Sequence, residues 1–349
     1  MSLWDIIYNL PSYIGGLISG ALSTVLPGWA VYIIMALIGI IGILGFAITG
    51  NLAMVWGERR LVARIQVRPG PNRVGPFGLL QPIADAIKIL VKEDVVPRKA
   101  DKLLHFLGPA AFVVPAVLAW AVVPFANEAI LTDLNIGILY ILAVSSLSLV
   151  GIFMAGWGSN NKYSLLAAMR TIAQVVSYEI PMVLSILGVV AIAGSLSMVD
   201  IVRAQNIPFI ILQPIGFVVY LVAAVAELNR SPFDTMEAES ELIAGYHTEY
   251  SGMKFALFYV AEYINLLVVS SIVVTLFLGG WRGPLLPPYI WFVIKMFLLF
   301  FLFVWLRGTL PRFRIDQLMV LAWKFLLPLA LLNIFLTGLG ILAWQALGF

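Results

Sequence analysis

The sequence predicts an all-α membrane protein with about eight transmembrane helices, an N-terminal interfacial helix and a long structured first cytoplasmic loop. Three observations predict it. Of 349 residues, 62% are hydrophobic and 11% charged, where soluble domains carry about 25% charged residues. Eight stretches of the length that covers a hydrocarbon core, about 20 residues, are free of charge or nearly so, and only helices satisfy their own backbone in such a setting. Alternate connecting segments divide the 21 Lys and Arg eighteen to two, with Lys295 left inside a span. By the positive-inside rule this division places the chain as a multi-pass protein of the cell inner (plasma) membrane with both termini on the non-cytoplasmic side.

Residues 1–27 are interrupted by Pro11, Gly15, Gly16 and Gly20, with Leu3, Ile6, Ile7 and Leu10 at helical spacing, so an interfacial helix is expected there. No Lys or Arg precedes Arg59, so the basic region of a secretory signal is missing and direct insertion is expected. The spans run from Trp29 to Trp56, Leu103 to Phe125, Leu134 to Trp157, Ile180 to Val199, Ile207 to Ala226, Phe255 to Gly280, Leu285 to Leu306, and from Phe325 toward the C-terminus. No repeat or low-complexity tract is visible, and 1–349 reads as one membrane domain. With no Cys and only His105 and His247, disulfides, thiolate metal sites, cysteine nucleophiles, iron-sulfur ligation and a bis-histidine haem are excluded. No metal site is expected. The composition also excludes nucleic-acid binding, and a net charge of +3 steers nothing by itself.

Two loops carry the chemistry. The first, 57–102, opens Gly57-Glu58-Arg59-Arg60 and continues through Arg68 into a stretch punctuated by prolines 69, 71 and 76 and glycines 70, 75 and 78. Such punctuation forbids regular helix and favours a rigid turn-rich segment. The loop closes with an amphipathic helix from Pro82 to Leu90, where Asp85 and Lys88 are spaced to pair. An ordinary positive-inside loop explains the charges, but the length, over forty residues, suits a structured wall for an amphipathic ligand. No nucleotide-binding glycine pattern is present. The fifth loop, 227–254, is acidic among basic inner loops. Asp234 and Glu237 are spaced as a capping box, and Asp234, Glu237 and Glu241 share a helix face beside Glu227, Glu239 and Glu249. Repulsion and desolvation favour protonated carboxyls, which suits proton carriage, and a solvated face docking a basic partner is equally open. Glu179, at the expected start of the fourth span, and Glu262, two turns inside the sixth, sharpen the choice, because an intramembrane acid costs about 2.5 to 3.5 kcal/mol. Lys295, about ten residues from either end of its span, is expected to need a carboxylate, met directly or through water.

These residues carry a family resemblance. The run from Gly57-Glu58-Arg59-Arg60 through Arg68, Gly70-Pro71-Asn72, Gly75, Gly78, Gln81, Ala84-Asp85 and Lys88 resembles the first signature of the H-subunit family of respiratory complex I, the bacterial counterpart of mitochondrial NADH dehydrogenase subunit 1. Pro232-Phe233-Asp234-Thr235-Met236-Glu237-Ala238-Glu239-Ser240-Glu241-Leu242 is similar to the second, and Pro311-Arg312-Phe313-Arg314-Ile315-Asp316-Gln317-Leu318-Met319 to a third. The likeness runs from about Trp29 to the end of the chain. It implies a subunit of the NADH-quinone oxidoreductase translocase, without a redox centre of its own, that forms the quinone-access chamber. The quinone-facing set implied is Trp56, Arg59, Arg68, Phe77, Asp85, Phe233 and Arg307. The implied acid chain is Glu58, Glu179, Glu227, Asp234, Glu237, Glu239, Glu241 and Glu262, with Lys295 expected in the same polar axis. Quinone is then the substrate, ubiquinone or menaquinone. NAD and iron-sulfur clusters reside in partner subunits, which are the other membrane-arm subunits and the quinone-proximal subunits of the peripheral arm; lipid surrounds the chain and nucleic acid has no part.

A self-contained secondary transporter also needs broken helices and midplane charges, but it has no use for so large a structured first loop. The equivalent component of a membrane-bound hydrogenase is a narrower alternative, whose signature loops resemble these less closely.

Overall fold

A computed structural model describes residues 8–127, 129–235 and 242–346. Among them the chain is helical, without strands. Helix α1 (Leu10–Ser23) buries none of its residues. It is followed by α2 (Gly28–Ile65), a 3-10 turn (Pro76–Gly78), α3 (Gln81–Val91), α4 (Lys102–Leu118) with a 3-10 extension (Ala119–Val122), α5 (Gly137–Gly158) and α6 (Lys162–Ala193). Next come α7 (Met198–Ala204), α8 (Phe209–Leu212), α9 (Pro214–Glu227), a 3-10 turn (Gly245–His247), α10 (Gly252–Phe277) and α11 (Pro288–Thr309). A last long helix is α12 (Ile315–Val320), which passes through a π turn (Leu321–Leu326) into α13 (Leu327–Ala346).

Among the described residues, seven helices are long and apolar enough to cross a membrane, and α9 is a shorter apolar one. Its brevity has a local cause. The expected fifth span is bracketed by Pro208 and broken at Gln213, because Pro214 lacks an N–H and drives the preceding residue out of the helical region, here to φ −130°, ψ 56°. The polar break is satisfied within the protein. Gln213 Nε2 donates to Thr337 Oγ1 at 2.7 Å, and Asn333 Nδ2 donates to Gln213 Oε1 at 2.9 Å.

Three expected boundaries shift. The fourth span begins at Lys162 rather than Ile180, so the expected third loop is a turn of three residues, Ser159 to Asn161, with Asn161 capping Tyr163 N at 2.9 Å. Lys162 and Arg170 ride on the helix. Likewise α2 continues through Gly57-Glu58-Arg59-Arg60 to Ile65, because nothing between Gly57 and Ile65 breaks a helix. The last span starts at Ile315, ten residues before Phe325. Charged residues suggest a span's end in sequence, yet a helix of 38 residues is about 57 Å long and projects well beyond a core of about 30 Å.

The centre of the molecule is α10, buried continuously from Leu266 to Phe277, as expected of a helical stretch without a charged side. A smaller aromatic core joins α4, α10 and the end of the fifth loop through Phe112, Tyr246, Tyr250 and Phe258.

Candidate functional site

The protruding end of α2 builds a mouth with the first loop. Trp56 Nε1 donates to the carbonyl of Phe77 at 3.1 Å, and the Arg60 guanidinium lies 5.3 Å from the Trp56 ring and 5.4 Å from the Phe77 ring. Phe77 itself is 68% exposed and held at φ +56°, a left-handed conformation that bulky residues seldom adopt and that tends to be kept where function needs it. The turn also depends on Gly78 (φ +74°), where a Cβ would stand 2.3 Å from the Pro71 carbonyl oxygen. Arg59 Nη1 meets Asp85 Oδ2 at 2.5 Å, and Gln81 Nε2 donates to Asp85 Oδ1 at 3.0 Å, tying α3 to α2. Asp85 thus takes Arg59 and Gln81 as its hydrogen-bond partners rather than Lys88. Partial burial works to raise its carboxyl, but the bonds from Arg59 and Gln81 outweigh it and hold Asp85 below the usual carboxylate value. Arg68 stands apart, bonded through Nε to Gln66 Oε1 at 2.7 Å.

One residue before Arg59, Glu58 points the other way, into the protein. It pairs with Arg307 of α11 and with Arg230 of the fifth loop, whose Nη1 lies 3.3 Å from Glu58 Oε1. Arg230 Nη2 is 3.5 Å from Glu262 Oε2 of α10, and its guanidinium lies 4.7 Å from the centre of the Tyr263 ring. Burial opposes the charge on Arg230; Glu262 and Glu58 outweigh that and hold the guanidinium protonated even more firmly than usual. Arg307 is therefore drawn into a buried ion cluster and is only partly open to the mouth.

Glu262 also lines a cavity of about 60 Å³ enclosed by α4, α5, α6, α9 and α10, together with Glu227, Asn229, Asn265, Ser145 and Ser148. The rest of its lining is apolar, and a space of this size has room for a few waters beside those polar groups. Glu179 is bonded by the Ser146 hydroxyl. It is not at the start of its span: with the helix beginning at Lys162 it lies 17 residues in, about 26 Å along the axis.

Below the cluster the fifth loop is pinned by Gln174 of α6, fully buried. Its Nε2 donates to the carbonyls of Ala226 (2.9 Å) and Phe233 (2.8 Å), and its Oε1 accepts from Thr235 Oγ1 at 2.5 Å. Asp234 accepts from Arg312 Nη2 at 2.8 Å, and the backbone N–H of Phe313 donates to the Pro232 carbonyl at 3.0 Å, so the third signature stretch docks on the second. Phe233 is 4% exposed and packed between Tyr178 and Phe313. It supports the wall rather than presenting a face. Glu237, Glu239 and Glu241, with the helix expected after Asp234, lie outside the described residues.

Lys295 has different partners from those expected. Its Nζ donates to the carbonyls of Leu278 (2.7 Å), Gly280 (2.9 Å) and Arg282 (2.7 Å), at the C-terminal end of α10 rather than at the acidic cluster. The span starts at Pro288, so Lys295 is seven residues from that end and its side chain reaches the loop above. Sequence reasoning missed Arg230, Gln174, Arg312 and Ser146. A cation set inside an otherwise acidic loop was the signal for Arg230; the others carry none, since their pairing is across elements.

A family model described as NADH dehydrogenase matches residues 38–338. The chain is 64% identical over 306 residues to the NADH-quinone oxidoreductase H subunit of Dehalococcoides mccartyi (strain CBDB1), covering 88% of this chain and 87% of the relative. It is 54% identical over 295 residues to an NADH-quinone oxidoreductase H subunit of Geobacter sulfurreducens, the one numbered 2, covering 82% and 90%. Against the NADH-quinone oxidoreductase H subunit of Thermomicrobium roseum it is 52% identical over 306 residues, covering 82% and 90%. With the family model spanning most of the membrane helices and both signature loops, the chain belongs to the NADH dehydrogenase family, among the H subunits of NADH-quinone oxidoreductase, a membrane component of respiratory complex I.

Proposed function

We propose that this protein forms the chamber through which a quinone reaches the electron-transfer arm of its complex, and that it couples quinone reduction to proton translocation through a line of carboxylates. The observation that carries the reading is the position of Glu58. It adjoins Arg59 of the mouth in sequence and joins, through Arg230, to Glu262 at the internal cavity. A quinone presents a polar head and an apolar tail, and the mouth offers Arg59 and Asp85 set among Trp56 and Phe77. Reduction takes two electrons, supplied by an iron-sulfur cluster of a partner subunit, and two protons, giving the quinol. The change in charge at the head is felt first by Arg59, Asp85 and Glu58. From there Glu262, Glu227 and Glu179, with Asp234 and the acids at 237, 239 and 241, form a group whose members titrate together. The peripheral-arm subunits dock on the basic first loop and the membrane-arm subunits lie alongside; both termini face the non-cytoplasmic side.

The test is made in assembled complex. Glu179→Gln and Glu227→Gln each lower the protons pumped per quinone reduced, while Asp200→Asn, on the exposed outer surface, leaves the ratio unchanged. Arg59→Ala lowers quinone reductase activity and inhibitor affinity but spares electron transfer to an artificial acceptor. Normal pumping in both Gln variants would reject the relay, and loss of the artificial-acceptor reaction would move Arg59 from the quinone to assembly. Cysteines at Ser23 and Gln66, both exposed, label from opposite sides of the membrane; labelling from one side would overturn the orientation.

A further inference from the structure

We propose that the segment Leu278 to Arg282 is a carbonyl bowl for one monovalent cation at the non-cytoplasmic end of α10, and that the Lys295 ammonium is its tethered, permanently charged occupant. Lys295 would then hold two helices together and take no part in moving protons.

The argument begins with donors. An ammonium has three N–H groups and a neutral amine two. Three carbonyl oxygens, of Leu278, Gly280 and Arg282, lie at 2.7, 2.9 and 2.7 Å from Nζ. Deprotonation would set the amine lone pair against one of them, so the bowl binds only the cation. Its position adds to this. The bowl follows directly on the C-terminus of α10, where the helix's last carbonyls and its dipole both favour positive charge.

The bowl is built before the lysine reaches it. Gly279 (φ +73°) and Gly280 (φ +53°) fold the chain back after α10, and the Gly280 N–H donates to the Val274 carbonyl at 2.8 Å. Gln205, buried behind the bowl, accepts from Gly279 N (2.9 Å) and donates to the Thr275 carbonyl (2.7 Å). Arg282 donates to the carbonyls of Gln205 (2.6 Å) and Arg203 (2.9 Å), closing the far side. The N–H groups of Leu278, Gly279, Gly280 and Arg282 and the Arg282 side chain are held by partners other than Lys295, so the backbone that aims the carbonyls keeps its course when the side chain is removed. Lys295 comes from α11, and its three bonds fix α11 against α10 at the end opposite Arg307 and Glu262.

The experiment uses assembled complex with four forms at position 295. Lys295→Arg is the decisive variant, since a guanidinium keeps the charge but does not give up its proton under any working condition. A fixed charge predicts normal protons pumped per quinone reduced in Lys295→Arg. Loss of pumping at normal quinone turnover in that variant would return Lys295 to the proton line and overturn the proposal. Lys295→Ala empties the bowl, and its thermal inactivation half-life falls about tenfold. Methylammonium restores that half-life, whereas choline at equal ionic strength, which has no N–H, does not. Lys295→Met is equally short-lived and insensitive to methylammonium, because its side chain fills the bowl without bonding. A Lys295→Ala complex indifferent to methylammonium would refute the cation site. The half-life measurements do not depend on the relay, so they stand or fall separately from the reading of the acid line, and Lys295→Arg answers even where Lys295→Ala fails to assemble.

Discussion

Arg230 is the residue whose removal tests the cluster most sharply. Its side chain is 9% exposed and holds Glu58 at 3.3 Å and Glu262 at 3.5 Å. At an effective dielectric constant of about 20, each pair at this separation is worth about 5 kcal/mol before desolvation is counted. Removing one member of a buried pair costs about 3 to 5 kcal/mol, since the carboxylates stay buried. Arg307 still serves Glu58, so most of the loss falls on Glu262. Arg230→Met should therefore inactivate the complex thermally about a hundredfold faster, equivalent to about 3 kcal/mol. Arg230→Lys should recover part of this, because one ammonium cannot fork to two carboxylates. The sharper measure is the cycle with Glu262→Gln. In the Arg230→Met background that second change removes a buried charge that has lost this partner, and it should restore stability, with a coupling of about 2 kcal/mol. Additivity within about 0.5 kcal/mol would mean that the two residues are not partners, and the link from Glu58 to the cavity would fail with it.

Other outcomes follow from the same geometry. Asp85→Asn should change stability by less than about 1 kcal/mol, because Arg59 is 47% exposed and water screens the pair; quinone reductase activity should fall markedly, and equal losses in stability and activity would make Asp85 merely structural. Gln174→Leu strips hydrogen bonds from the Ala226 and Phe233 carbonyls and from Thr235, each costing about 1 to 3 kcal/mol when left buried, so assembled complex should be recovered poorly; normal yield would show that the loop is held elsewhere. Burial pushes His247 down to about 4. Its folded value lies below the unfolded one of about 6.5, so its contribution is complete above pH 6.5 and is lost as pH falls toward 4, about 2 kcal/mol by pH 5. His247→Gln should flatten that acid limb in thermal inactivation, and an unchanged limb would assign it to other groups.

The order of the apolar helices was legible because hydropathy acts over twenty residues at a time, and a misplaced residue or two does not disturb it, although the expected fifth span is broken at Gln213 and leaves seven helices of spanning length among the described residues. Where the spans end was not. Glu58, Arg59 and Arg60 read as loop, yet α2 carries them outward on one continuous helix to Ile65. Lys162 and Arg170 read as a third loop, yet they form the first turns of α6, and this moved Glu179 from a membrane surface to deep within its helix. In both cases the charges are tolerated because the helix outruns the hydrocarbon, a possibility that composition alone does not reveal.

The candidate site divides along the same line. Carboxylates in unusual places are visible in sequence, since an acid in an apolar run is costly wherever it ends up. What neutralises each acid is a tertiary fact. By sequence Arg230 is one more cation in a connecting loop, but it is buried between Glu58 and Glu262. Lys295 was marked by the same logic as the acids, and its three acceptors are backbone carbonyls, which every residue possesses and no sequence pattern announces. Burial cost identifies which charges must be compensated. It is silent on whether the compensation is another side chain, which makes a charge available for exchange, or a closed helix end, which makes it permanent. The distinction decides whether an intramembrane charge works or only holds, and here it separates Glu262, at the wall of a cavity large enough for water, from Lys295, whose three protons are all spoken for.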